Sequence, residues 1–393
     1  MALLIRRGTV FGPHPLGVRD VFIAGGRIEA IAPPGAIETR GLDVDVIEAE
    51  GKSVLPGLID PHVHILGGGG EGGPATRAPE IGVEDIAGSG VTTVIGCLGT
   101  DGVTRHMASL LAKARALEIE GVSTWLFAGS YELPVRTITG SVRSDLALID
   151  KIVGAGEIAL SDHRSSQPTF EDIAKLAAEC RVGGMLGGKA GVLHIHLGDG
   201  ARGFAYLWRL MKETEIPPGQ IVPTHVNRSR RLLDEAVEYV RAGGFADLTA
   251  GIDPEEDRDD DVSVETAVRL ALERGAPLAR FTVSSDANGS MPRFDASGAL
   301  IGLTIATQRT LLLKFRSLVR RGILGLDQAA ALFAANPAGI YKLPGKGVLE
   351  PGADADLIVF DAGLELTDVI ARGRQLMRGG RLLVRGTFAH PAD

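Results

Sequence analysis

Cysteine is nearly missing: Cys97 and Cys180 are the only two in 393 residues. That excludes a disulfide scaffold, and both thiols read as small buried side chains. Aromatic residues are scarce too, at 5% against a hydrophobic fraction of 45%, which describes an aliphatic-rich globular chain. A basic surplus is absent. The formal net charge of -8 argues against a general nucleic-acid binder, which needs a basic surface to displace counterions. No segment reaches the length of a membrane span, and no N-terminal apolar core with a cleavage site is visible. A cytoplasmic enzyme with neither nucleic acid nor membrane as partner is therefore expected. Also missing are a long repeat, a low-complexity tract and a glycine fingerprint between strand and helix that would mark a nucleotide crevice.

What the chain has in plenty is glycine, 53 residues, which implies many tight connections between short elements. Residues 1–55 read as short strands and turns: Val21-Phe22-Ile23 and Arg27-Ile28-Glu29-Ala30-Ile31 flank the turn Ala24-Gly25-Gly26, and Asp45–Ala49 adds another strand. From Val54 the texture changes to aliphatic strands alternating with helices. The strands are expected at 58–64, 91–98, 123–128, 157–162, 191–196, 221–225, 246–249 and 281–286. Helices are expected near 107–120, 144–153, 170–181, 204–213, 232–242 and 264–274. Eight strand–helix units over residues 56–340 predict an α/β fold of the (β/α)8 TIM-like barrel type, with a doubly wound open sheet as the alternative. The acidic run Pro254–Asp261 reads as a solvated loop. After Tyr341 short strands return, at 355–360, 368–371 and 381–384. Neither end is large enough to bury a good core alone, so residues 1–55 and 341–393 are expected to pair into one small β-sandwich.

The chemistry centres on Leu58-Ile59-Asp60-Pro61-His62-Val63-His64. Alternation along a strand puts His62 and His64 on one face, and two imidazoles in a mostly apolar strand favour a shared metal over two separate core histidines. The fourth strand begins with Glu157, and the fifth, sixth and eighth end at His196, His225 and Asp286. Taken singly, each reads as readily as a helix cap, a satisfied core group or a surface residue. Together, four histidines and two carboxylates converge on the carboxyl-end rim of one barrel, the face where such barrels build their sites. This donor set suits zinc, with manganese or iron as substitutes, and exceeds what one tetrahedral ion needs, so two metals are expected.

This pattern resembles the amidohydrolase superfamily, and within it the isoaspartyl dipeptidases. The resemblance rests on the His62-Val63-His64 pair with its flank Lys52–Asp60, the block Gly347–Leu357, and a set of specific stretches. These are Gly67–Glu71, Leu98–Asp101, Arg136–Ser141, Ser161–Ser165, Pro223–Arg228 and Ser284–Ser290. It implies that His62, His64 and Asp286 hold one zinc and His196 with His225 the other, with a hydroxide between them. Glu71, helped by Thr100, would meet the substrate α-ammonium. Arg164, Arg228 and Ser290 would bind its carboxylates, and Tyr131 would stand beside the scissile carbonyl. Asp286 would be the general base and acid. A dipeptide joined through an aspartyl side chain carries one ammonium and two carboxylates, so one acidic and two cationic groups complement it. Without the resemblance, Glu71 reads as a solvated loop residue, Tyr131 as a packing ring and Arg164 as a structural ion pair. A homo-oligomer, an octamer among its forms, is also implied.

One position departs from the family, whose fourth strand carries a lysine carboxylated on its amine that bridges the metals. Here Glu157 takes that place. The charge is right, but the side chain is shorter by roughly 3–4 Å. A closer strand, an altered bridge or a single metal would follow, and direct bridging by Glu157 is the expectation. Rival functions are a cyclic-amide hydrolase or N-acyl amino acid deacylase on the same metals, and a catalytically silent scaffold on the same fold.

Overall fold

Eight short parallel strands position every candidate residue. The computed structural model describes residues 2–251, 262–294 and 300–389; the acidic run Pro254–Asp261 lies outside them. Leu58–Val63, Val91–Gly96, Ser123–Ala128, Ile152–Leu160, Val192–Leu197 and Ile221–Thr224 pair in that order in one parallel sheet, a half-barrel. Ala246–Thr249 and Phe281–Ser284 form a further parallel pair. The Val226 amide reaches the Asp247 carbonyl at 3.4 Å. The His64 amide donates to the Ala287 carbonyl at 2.9 Å, within a parallel bridge between Val63 and Ala287. The sixth strand is thus tied to the seventh and the eighth to the first. Nearly every residue of these strands is buried, as expected of parallel strands covered on both faces.

Helices Met107–Glu120, Phe170–Gly187, Ala205–Glu213, Arg230–Arg241 and Val264–Glu273 follow the expected spans closely. Three of them start at a hydroxyl N-cap, Thr169, Ser229 or Ser263, whose oxygen accepts an orphan backbone N–H. The helix expected at 144–153 is instead Val142–Leu148, and Ile152 already begins the next strand. The β-branched Ile149, Ile152 and Val153 favour extension over another turn. The fourth strand correspondingly starts five residues earlier than expected and carries Glu157 in its middle. A hairpin of Ser290–Phe294 with Leu300–Ile305 and a helix at Arg309–Arg320 follow the eighth strand and were not anticipated.

The chain ends do pair. Ser53–Pro56 runs antiparallel to Leu357–Phe360, with Val54 opposite Val359, and joins the N-terminal strands to Leu366–Ala371, Arg374–Arg378 and Arg381–Leu382. The result is one hydrogen-bonded sheet of nine strands. Its core mixes both ends: Leu3, Ile5, Val21 and Ile23 pack in one cluster with Leu349, Leu357, Val359 and Ile370. Among the parallel strands, Ile59, Ile95, Phe127, Val153, Val192 and Val222 cluster with Tyr341 and Leu343, which underpins the histidines. No helix among the described residues is long and apolar enough to cross a membrane.

Candidate metal centre and substrate pocket

Glu157 is the centre of the site. Its carboxylate is fully buried, with Oε2 lying 3.5 Å from His62 Nε2, 3.2 Å from His196 Nδ1 and 3.5 Å from His225 Nε2. Its Oε1 lies 3.6 Å from His64 Nε2. Asp286 Oδ1 stands 3.0 Å from His64 Nε2 and 3.5 Å from His62 Nε2. All six residues named from the sequence as metal ligands therefore meet. Most of these separations are long for hydrogen bonds, yet two ligands on one tetrahedral zinc stand roughly 3.4 Å apart for ordinary bond lengths. His62 Nε2, Glu157 Oε1 and Asp286 Oδ1 are buried without a hydrogen-bond partner among the described residues. Three orphaned polar atoms in one place are what a cation would satisfy, so the donor set fits a metal.

The histidines are oriented from behind. His62 Nδ1 lies 2.8 Å from His194 Nε2, and His194 stacks on Phe127 with its Nδ1 3.4 Å from the Tyr341 hydroxyl. His225 Nδ1 sits 2.7 Å from Thr249 Oγ1. His196 Nε2 sits 2.9 Å from Asp162 Oδ2, a carboxylate that accepts N–H and so leaves Nδ1 free to face Glu157. In each case one ring nitrogen is held and the other is directed at the carboxylates. Burial, the largest influence, lowers the His225 pKa to about 3, so its ring is neutral and a competent ligand. Burial would raise the Glu157 carboxyl, but neighbouring His62, His196 and His225 hold it well below its ordinary value. His225 and Asp286 adopt left-handed backbone, φ 61° and 55°, just past their strands. Such conformations are uncommon for residues other than glycine and concentrate at functional sites.

Above the centre opens a cavity of about 980 Å³ lined by His64, Tyr131, His196, His225 and Asp286. It also holds every remaining residue named from the sequence: Glu71, Thr100, Arg164, Arg228 and Ser290. Glu71 accepts hydrogen bonds from Thr100 Oγ1 at 2.8 Å and from Ser290 Oγ at 3.1 Å, and lies 3.4 Å from an Arg164 nitrogen. Burial opposes ionisation of Glu71, but these donors and its own backbone bring its pKa below the usual value. Arg164 forks onto Asp162 at 2.7 and 3.0 Å, and Arg228 comes within 3.9 Å of the same carboxylate. The Tyr131 hydroxyl lies 2.8 Å from His196 Nδ1, on the side facing Glu157.

Asp162, His194 and Cys97 were not anticipated as site residues. His194 had a visible signal, because it alternates with His196 as His62 does with His64. Cys97 is buried as expected, but it packs against the paired histidines, 3.8 Å from His64 Nδ1.

Comparison with known proteins agrees with this geometry. The Amidohydrolase family profile matches residues 262–381. The β-aspartyl dipeptidase of Fervidobacterium islandicum AW-1, solved in complex with a β-Asp-Leu dipeptide, is 42% identical and superposes with a TM-score of 0.89. That match covers 97% of this chain and 98% of the other. The chain belongs to the β-aspartyl dipeptidase family of amidohydrolases. It is accordingly a hydrolytic dipeptidase. A more distant relative of this dipeptidase, a dihydroorotase from Pelotomaculum thermopropionicum, is 28% identical over 98% of this chain and 95% of its own length. The dihydropyrimidinase of Brevibacillus agri NCHU1002 shares the fold alone, at 18% identity over 100% of each chain with a TM-score of 0.68.

Proposed function

We propose that this chain hydrolyses β-aspartyl (isoaspartyl) dipeptides with two zinc ions. His62, His64 and Asp286 would hold one ion, His196 and His225 the other, with Glu157 between them. The observation that carries this is the convergence of one carboxylate, Glu71, and two guanidinium groups, Arg164 and Arg228, in a single cavity over the six-residue cluster. We read the eight parallel strands as a (β/α)8 barrel over residues 56–340, and residues 1–55 and 341–393 as one β-sandwich beside it.

When bound, the ions supply a water acidified enough to act as nucleophile near neutral pH. Glu71, braced by Thr100 and Ser290, receives the substrate ammonium, while Arg164 and Arg228 receive the two carboxylates, with Ser290 alongside. These contacts fix the scissile amide over Glu157 and exclude much of the pocket water. Burial and the Glu157 charge push the Tyr131 phenol well above its usual pKa, so it stays a donor and can stabilise the carbonyl oxygen as charge develops. Asp286 accepts a proton from the attacking water and passes it to the leaving amine.

The test is a panel of substrates on zinc-loaded protein: isoAsp-Leu, an N-acetyl amino acid and a hydantoin. The highest kcat/KM is expected for isoAsp-Leu. A higher value for the hydantoin or the acylated amino acid would move the chain to those reactions, and no turnover of any would support a silent scaffold.

A further inference from the structure

Cys97 follows the second parallel strand, and its backbone N–H donates to the Val63 carbonyl at 3.0 Å, between the two histidines of the first strand. That contact places the thiol at the floor of the site. One ligand atom from each of His62, His64, Cys97 and Glu157 lies within 4.8 Å of all the others, and all four residues are buried. The thiol makes two long contacts, donating to the Val63 carbonyl at 3.6 Å and lying 3.8 Å from His64 Nδ1. Two atoms of this same group, His62 Nε2 and Glu157 Oε1, are buried and unpartnered among the described residues, which is an independent sign that a cation belongs among them. Charge argues the same way. Two divalent ions would bring four positive charges into a buried site; Glu157, Asp286 and a bound hydroxide would offset three, and a thiolate would supply the fourth.

We propose that Cys97 is a thiolate ligand to the ion held by His62 and His64, giving this centre a mixed nitrogen, oxygen and sulfur donor set. The inference rests on the metal reading above. If the ion is bound, the thiol would give up its proton and the thiolate would join His62 and His64 as a donor; no oxidation is involved. A sulfur donor shifts the site toward softer ions, so cadmium should be accepted along with zinc, while cobalt serves as a spectroscopic stand-in of similar size and geometry.

The decisive experiment is cobalt reconstitution of the metal-stripped full chain, read by near-ultraviolet absorbance and by metal content. The expected result is a sulfur-to-cobalt charge-transfer band in the wild type and in Cys180→Ser. In Cys97→Ser the band should vanish, the visible cobalt bands from histidine ligation should persist, and one ion should be held more weakly by about tenfold or more. Cobalt bound to the wild type without the band would leave the thiol as a hydrogen-bond partner of the His64 ring and overturn the assignment alone. A band that survives in Cys97→Ser would overturn it as well. A wild type that takes up no cobalt would overturn the metal reading and this assignment with it.

Discussion

Asp286 combines three properties: a carboxylate oxygen near two imidazoles, no hydrogen-bond partner for that oxygen, and a backbone φ of 55°. Replacing it with Asn keeps size and removes basicity. Asp286→Asn is expected to fold, by circular dichroism, and to lose at least about 10²-fold in kcat, the usual scale of a general base; wild-type-like turnover would refute the proton-transfer role. Asp162 works differently, since it touches His196, Arg164 and the edge of Arg228 at once. Asp162→Asn should weaken metal binding by roughly 10–100-fold and raise KM, with metal titration and kinetics as the two readouts. Its pH signature follows from the sign of the shift. Burial opposes ionisation, but His196 and Arg164 hold the folded carboxyl far below its ordinary 3.8, so it contributes stability above that pH and loses it in more acid solution. The melting-temperature gap between wild type and Asp162→Asn should therefore be full at pH 7 and begin to narrow only below about pH 4, continuing to shrink as the solution becomes more acid; a gap that stays constant into acid would contradict this. At this scale the sequence was informative where chemistry repeats a pattern. His62, His64, His196, His225 and Asp286 were legible because each ends a strand. Cys97 and Asp162 were not singled out, although Asp162 closed the expected fourth strand, because their roles come from what lies beside them after folding.

The loops between strand and helix decide how closely backbone approaches the centre. A Cβ on Gly99 would stand 2.9 Å from His64 Cε1 and 3.3 Å from its Nδ1. Gly99→Ala should therefore leave the fold intact but displace the His64 ring, lowering metal content by about tenfold or more in equilibrium dialysis. Unchanged metal content would mean that the loop can yield. Strand and helix positions were largely legible, and Ser123–Ala128 and Ala246–Thr249 have the expected bounds. The fourth strand was the least accurate, since the helix before it stops early. Glu157 was expected to fall short because its side chain is shorter than a carboxylated lysine, whereas in mid-strand its carboxylate lies directly among the histidines. The hairpin that begins at Ser290 was not expected because nothing in its composition separates it from a connecting loop. It nevertheless starts with the Ser290 hydroxyl on Glu71.

At the scale of the whole molecule, the two chain ends share one sheet and one apolar cluster, bridged by Ser53–Pro56 against Leu357–Phe360. Leu58 begins two residues after that strand, so the small sheet and the first histidine strand are directly linked. Deleting residues 341–393 would expose Leu3, Ile5, Val21 and Val54 together. Such a truncation is expected to be insoluble or to lose cooperative melting, and a soluble, metal-binding product would show that the centre folds without that sheet. Glu157 unites the scales: one buried carboxylate, on one central strand, among the residues proposed to hold two ions. The most direct test is an anomalous-scattering map, recorded at the zinc edge from crystals of the zinc-loaded protein. Two peaks flanking the Glu157 carboxylate are predicted, one beside His62, His64 and Asp286 and the other beside His196 and His225. A single peak, or two peaks with Glu157 touching neither or only one, would contradict the bridge.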